Sequence, residues 1–450
     1  MPSFPDTLLQ ASSKCLHEKE DFSENAILKA KLCLVDFLTS VFSTHPFPWV
    51  QHARNHALRN STSTRDALIL GTDDRVTILD AAFVNAVAGH SLVRDDMHVG
   101  SVSHLGVVVI PTVLALAEKE QIGGHQLLEA IICGYEAGAW LGSSIMDVET
   151  ARIFRPTGLC GAFASAAAAA HLLKLDTPSM TNALGFASNY FNGLNEWAAW
   201  GSNDMYFHPG IACRNGITAA WLAQEGADSA PCNLDGKAGV LQAFNKVSHP
   251  TGNLPFASGE AILEVFFKQV PACNYAQTAA QVAKTISENY AFASEEVSAI
   301  TIDVPYAAAH YPGCNYSGPF NSILQARMSI QFNVASALLH KNFMDSNYHN
   351  YSDTVVAGLI NKIQLNIDEA LTNAYPNKQG ARIIVSTEKS NYEASQDDVI
   401  KADEAEVNIR FSQTAESILG SSKASRLVAS IDRLTDTEDI RSFLDLLSPC

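Results

Sequence analysis

The chain has 450 residues, 47% hydrophobic and 17% charged, a balance that describes a well-packed globular protein and excludes a disordered one. Lys and Arg number 30 against 47 Asp and Glu, a net charge of −17 with no Lys/Arg cluster, which argues against nucleic acid and anionic membranes as partners. The length exceeds one ordinary core, so two domains are expected.

The opening Met1-Pro2-Ser3-Phe4-Pro5-Asp6 lacks a basic region followed by an apolar core, and reads as no secretory signal. The nine cysteines, an odd number with no Cys-x-x-Cys pair, suit reduced thiols, so a cytoplasmic location is expected. From about residue 24 to 267 the periodicity is helical. Leu28, Leu32, Val35 and Leu38 recur at helical spacing and predict an amphipathic helix. Next comes Gly89-His90-Ser91-Leu92-Val93-Arg94-Asp95-Asp96-Met97-His98, with His104 just beyond, against an apolar run over residues 105–117. Helices are predicted over 107–120, 125–141, 158–174 and 209–224. In Leu175-Asp176-Thr177-Pro178, Thr177 reads as an N-cap with Pro178 at the first helical position. The Ala-rich run 164–170 lets helix backbones approach closely, and the apolar stretch 159–173 is too short to span a bilayer. Beyond Lys268 the texture changes. Alternating segments at 297–304, 362–367, 382–387 and 406–411 predict strands, separated by helical stretches at 276–290 and 327–340, and 415–447 reads as helix again.

The expected fold is mainly α with a smaller α+β domain. It comprises a large all-helical domain over residues 1–268, an α+β lid domain containing a small β-sheet over 269–412, and a helical tail over 413–450 that returns to the first domain. A cleft between the two domains is the natural ligand site.

Asp95, Asp96, His98 and His104 sit beside an apolar run that must be buried, and burial with charged neighbours shifts pKa values. Acid/base work, a metal site and a salt-bridged loop carrying Arg94 are the three readings. The pair His52/His56, at His-x-x-x-His spacing, lies outside the cluster. Lys268 lies between apolar residues, as a desolvated base, a carboxylate holder or a snorkelling surface lysine. Tyr206-Phe207-His208-Pro209-Gly210 puts an imidazole at a helix start, an anion site or a structural hydrogen-bonder. Arg155 before Pro156-Thr157-Gly158 offers a carboxylate clamp. No Gly-x-Gly-x-x-Gly after a strand, no P-loop and no Gly-x-Ser-x-Gly elbow is present, which argues against nucleotide cofactors and serine-hydrolase chemistry.

Taken together the blocks Asn85-Ala86-Val87-Ala88-Gly89-His90, Asp95-Asp96, His104, Pro111, Ala115-Leu116-Ala117-Glu118, Gly134-Tyr135-Glu136, Pro156-Thr157-Gly158, Asn182-Ala183-Leu184-Gly185, His208 and Lys268 resemble the MmgE/PrpD family. The resemblance runs from about Glu24 to Phe411 and is strongest between Ala81 and Ala223. It implies a helical domain with an α+β lid, a homodimer, and small di- or tricarboxylate substrates handled without an organic cofactor; from the residue spacing no metal is expected either. His104, Asp95-Asp96 and Lys268 match the family's site. Val93, Met97, Arg155, Met205, Gln277 and Phe332 stand where it has aspartate, threonine, histidine, lysine, histidine and tyrosine. These losses favour the simplest family chemistry, an epimerase moving an α-proton on an amino-linked dicarboxylate such as iminodisuccinate. In that expectation His104 and Lys268 exchange the proton, Asp95, Asp96 and His98 orient His104, and Arg94, Arg155, His208 and Tyr206 surround the carboxylates. The alternative is a lyase, a dehydratase or decarboxylase of a citrate-like acid such as 2-methylcitrate or cis-aconitate. A third reading is a non-catalytic carboxylate-binding relative.

Overall fold

The computed structural model describes residues 22–61, 65–244 and 261–449. The first half is helical: α1 (Glu24–Thr44), α2 (Pro48–Asn60), α3 (Ile78–His90), α4 (Gly106–Ala117), α5 (Gly124–Ile145), α6 (Pro156–Leu172), α7 (Thr177–Ala187) and α8 (His208–Gln224). Their starts follow local chemistry. Ser23 Oγ accepts the Ala26 N–H at 3.2 Å before α1, Thr77 caps α3 through the Asp80 N–H, and Pro156 opens α6. Helix α4 is apolar all round and buried along its whole length, as is α6, so both are central. Small residues make that possible. A Cβ on Gly134 would lie 2.9 Å from Ala168 Cβ, and one on Gly138 would lie 2.8 Å from Ala164 Cβ, so α5 and α6 touch almost backbone to backbone.

The second half holds α9 (Gln277–Asn289), β1 (Val297–Val304), α10 (Ile323–Met328), α11 (Ile330–His340), β2 (Ile363–Ile367), β3 (Ala381–Thr387) and β4 (Asn391–Gln396), followed by α12 (Glu404–Leu419) and α13 (Ser421–Asp432). The sheet order is β2-β1-β3-β4, with β1 parallel to β2 (Ile300 opposite Ile363) and antiparallel to β3 (Ile302 opposite Ile383). Helix α9 covers β3 and β4 and packs on α11, while α12 lies along α1. The protein is thus mainly α with a smaller α+β part, as expected.

Several local expectations are corrected. Residues 406–411, expected as a strand, are the first turns of α12, where Val407, Phe411, Ala415 and Leu419 recur every fourth residue and are buried. Asp403 caps that helix, which therefore crosses the expected boundary at 412/413. Strand β4 escaped notice because Asn-Tyr-Glu-Ala-Ser-Gln is a half-exposed edge with little apolar alternation. The helix expected over 327–340 breaks at Ser329, whose Oγ accepts the Phe332 N–H at 2.9 Å. Asp176, not Thr177, caps α7, accepting from Ser179. Leu28, placed by its spacing on an apolar face, is 55% exposed.

The tail docks where α5 begins. Gly124 N–H donates to the Thr437 carbonyl at 2.7 Å, and a Cβ on Gly124 would stand 1.8 Å from the Leu434 carbonyl oxygen. Gly124→Ala is expected to destabilise the fold by about 1–3 kcal/mol through that overpacking. Gly358→Ala, in the exposed helix Thr354–Ile360 with nothing within 4 Å of the new Cβ, is expected to stabilise by roughly 0.5–1 kcal/mol. Thermal unfolding of the two variants checks both signs.

Candidate active site

The segment between α3 and α4 is irregular, buried and strained. Val93 (φ 55°) and Val102 (φ 51°) are β-branched residues in the left-handed region, a conformation that persists only where surroundings impose it. The imposing contacts come from several elements. Arg327 of α10 donates to the Ser91 carbonyl, Lys268 Nζ donates to the Val93 carbonyl at 2.7 Å, and Met97 and Phe266 exchange backbone bonds of 2.9 and 3.0 Å. Asp96 accepts the Gly106 N–H at 3.2 Å and the Tyr135 hydroxyl at 2.6 Å, and the His104 N–H donates to Thr157 Oγ1 at 3.1 Å.

Asp95 is the centre of this loop. His90 Nδ1 donates to its Oδ2 at 2.7 Å, His104 Nδ1 is 3.5 Å from the same oxygen, and Lys268 Nζ is 3.9 Å from Oδ1. Burial works against its charge, yet His104, His90 and Lys268 around it hold the carboxyl well below the usual carboxylate range. His104 Nδ1 donates to the Asp96 carbonyl at 2.6 Å, which fixes the tautomer and leaves Nε2 as the free ring nitrogen. Burial pushes the His104 pKa well below 6.5; Lys268 and Arg155 push the same way while Asp95 opposes. His90 is lowered by burial too, and its Nε2 accepts from Arg155 Nη2 at 3.0 Å. Lys268 is lowered by burial against the pull of Asp95.

Above this network lies a pocket of about 10 Å³, lined by Val93, Met97, Val102, His104, Arg155, Cys273, Asn274, Tyr275, Tyr311 and Met328. That is room for one water and too little for a tricarboxylate. Arg155 enters at the N-cap position of α6, its Nη1 donating to the Tyr311 hydroxyl at 2.9 Å, while its buried Nε has no partner. A neutral imidazole, a guanidinium with a spare donor and a tyrosine hydroxyl face one small space with an apolar wall. Such a set binds a carboxylate and moves a proton. Among the described residues no group of three or more His, Cys, Asp or Glu is arranged to hold a metal ion.

The geometry brings Asp95, His104, Arg155 and Lys268 together, but Lys268 lies beneath the pocket rather than on its lining. The other expected site residues point elsewhere. Asp96 faces Tyr135 and the start of α4, and burial pushes its carboxyl up to about 6. His98 is held by Ser101 Oγ at 2.8 Å and Glu264 at 3.3 Å. Arg94 turns toward Asp36 of α1, whose carboxyl is pushed up to about 7 by burial with Arg94 opposing. Tyr206 stacks on Trp49 at 4.4 Å behind His90. His208 lies beside Arg155, lowered to about 4 by burial and then by that cation. Gln277 clamps the backbone of residues 270–273, bonding Val270 N–H at 3.0 Å and the Val270 carbonyl at 2.9 Å. Residues missed by sequence reasoning are His90 as the link from Arg155 to Asp95, Tyr311, and the buried anchor Arg327. His90 was visible in the charged cluster; Tyr311 and Arg327 carry no local signal, since only folding brings their segments to the loop.

The chain matches the sequence model of the MmgE/PrpD N-terminal domain over residues 15–252 and that of the MmgE/PrpD C-terminal domain over residues 270–433. Human cis-aconitate decarboxylase is 27% identical over 365 residues, 76% of this chain and 73% of the relative. The Mus musculus cis-aconitate decarboxylase is 26% identical over 325 residues, 68% and 64% of the two chains. That of Aspergillus terreus is 27% identical over 234 residues, 50% of this chain and 47% of the relative, so the matched part spans under half of the fungal protein. All three carry decarboxylase names, and the expected likeness to an epimerase finds no support in them.

Lys268 is the test of the network. Lys268→Ala leaves the Asp95 carboxylate buried without its cation and frees the Val93 carbonyl, and is expected to cost about 3–5 kcal/mol in thermal or denaturant unfolding. Unchanged stability with lost activity would instead make the lysine a proton carrier.

Proposed function

We propose that this chain, which belongs to the MmgE/PrpD family, is a cofactor-independent lyase that decarboxylates a small unsaturated tricarboxylate of the cis-aconitate type. The observation that carries this reading is the composition of the pocket lining: His104, Arg155 and Tyr311 against a wall of Val93, Met97, Val102 and Met328. The names of the relatives support it.

Arg155, through its unpartnered Nε, and Tyr311 hold one carboxylate of the acid. The carboxylate that leaves lies against the apolar wall, where it loses hydration that CO₂ does not need. Breaking the carbon–CO₂ bond shifts its electron pair into a new double bond, and the old alkene takes up one proton at carbon. His104 Nε2 delivers that proton, having taken it from solvent, and the anionic substrate offsets the burial that otherwise keeps the ring neutral. Asp95, bonded to His90 and close to His104, fixes the ring and balances the charge. One CO₂ leaves and one proton is consumed per turnover. Dehydration would need a further acid for a leaving hydroxyl. The epimerase expected from sequence needs a second proton carrier, and Lys268, assigned that role, is absent from the lining and holds Val93.

The reading is tested by NMR in D₂O with cis-aconitate, 2-methylcitrate and single stereoisomers of iminodisuccinate. Loss of CO₂ with one deuterium in the new methylene supports it. Deuterium at the α-carbon of iminodisuccinate with inversion and no CO₂ would make the protein an epimerase, and alkene formation from 2-methylcitrate a dehydratase. His104→Ala is expected to lower kcat by roughly a hundredfold or more with the fold intact; wild-type turnover removes His104 from the chemistry. An acid whose pKa lies below 6.5 loses its protonated form as pH rises, so kcat/KM is expected to fall from pH 6.5 to 8. A flat profile there would assign His104 as a base.

A further inference from the structure

Two buried thiols face each other at the pocket wall. Cys273 Sγ and Cys314 Sγ are 3.5 Å apart. Of the other buried thiols, Cys133, Cys160 and Cys213 direct their sulfurs at helix carbonyls, the ordinary fate of a small core thiol, and Cys33 lies against the Tyr135 hydroxyl. Cys273 N–H donates to the Arg327 carbonyl and Ile330 N–H to the Cys314 carbonyl, each at 2.9 Å, so the turn between α10 and α11 holds the two backbones side by side. Cys273 is on the lining, where a small solute admitted to the pocket meets its sulfur, and Cys314 is fully buried and absent from that lining.

We propose that Cys273 and Cys314 form a redox site in which hydrogen peroxide oxidises Cys273 and Cys314 resolves the product as a disulfide. The Cys273 thiolate attacks one peroxide oxygen, the O–O bond breaks, and the sulfur becomes a sulfenic acid while the second oxygen leaves as hydroxide and takes a proton to form water. The Cys314 sulfur then displaces the sulfenic hydroxyl, its proton leaves with that hydroxyl as a second water, and the S–S bond forms. The peroxide is reduced and the two thiols are oxidised. The sulfurs must close from 3.5 Å to about 2.0 Å. The surroundings suit the division of labour. Burial raises the cost of a Cys273 thiolate, but the Cys314 S–H, Lys268 and Arg155 leave its pKa below the ordinary value, whereas burial keeps Cys314 a thiol.

The bond would tie the segment carrying Asn274 and Tyr275 to the segment carrying Tyr311, both of which line the pocket. The pocket holds only about one water, so a larger acid needs its lining to part, and a bond between two lining segments would oppose their separation. The proposal rests on this geometry and not on the decarboxylase reading.

The test uses the full chain, reduced and then exposed to hydrogen peroxide, quenched by alkylation and digested without reductant for mass spectrometry. The expected result is a linked Cys273–Cys314 peptide pair that dithiothreitol reverses, with Cys133, Cys160 and Cys213 recovered as alkylated thiols. In Cys314→Ser the link is lost and Cys273 proceeds to sulfinic or sulfonic acid that dithiothreitol does not recover. Cys273 remaining a free thiol at a dose that fully oxidises the exposed Cys232 overturns the proposal. So does a reversible Cys273 oxidation that is the same with and without Cys314. The wild-type peptide map decides the first point even if the variant fails to fold, and neither readout requires catalytic turnover.

Discussion

A single buried carboxylate organises this protein. Asp95 is 2% exposed, and a charge so placed is tolerated only if its surroundings supply hydrogen bonds and opposite charge. His90 comes from the end of α3, His104 from the approach to α4, and Lys268 from the segment entering the second half of the chain. Satisfying one anion thus draws three parts of the sequence together, and Arg155 joins through His90 from the start of α6.

The same requirement accounts for the strained loop. Two valines with positive φ are unfavourable by themselves, and they are held because the loop is anchored by Arg327 at Ser91, Lys268 at Val93, Phe266 at Met97, Tyr135 at the Asp96 side chain and Thr157 at His104. Charges that read as a catalytic set along the sequence therefore divide by direction. Asp96 and His98 turn outward to hold the loop against α5 and the segment around Glu264, Arg94 acts on the Asp36 carboxyl of α1, and Asp95 and His104 turn inward. Support and chemistry alternate along ten residues because neighbouring side chains of an irregular loop leave it in different directions.

The pocket wall then sets what the inward group can do. A histidine kept neutral by burial and locked in one tautomer is a proton carrier whose protonated form is strongly acidic, and Arg155 gives an anion a reason to lie beside it. Val93 and Met97 make part of the surface apolar, which suits the proposed departure of a neutral gas from a carboxylate better than protonation of a hydroxyl. The lining also needs residues from both halves of the chain, so substrate access and the Cys273–Cys314 pair concern the same few segments.

The sequence by itself determined α1, α4, α5, α6 and α8 in the first half, because their apolar residues recur over several turns, and it left α2 and α3 without a specific prediction; it also determined three of the four strands of the larger sheet and the family. It placed His104, Asp95, Arg155 and Lys268 among the groups that matter, since ionisable residues beside an apolar run carry a desolvation cost that demands partners. Periodicity failed where windows were short: residues 406–411 alternate like a strand, yet bury every fourth residue against α1. Only the tertiary structure decided which charged groups face inward, that Lys268 is absent from the pocket lining, and that Tyr311 and Cys273 reach the pocket, and Arg327 the loop at Ser91, from more than a hundred residues away. Direction and long-range contact depend on backbone angles and on the packing of distant segments, and neither is written in local residue type or spacing.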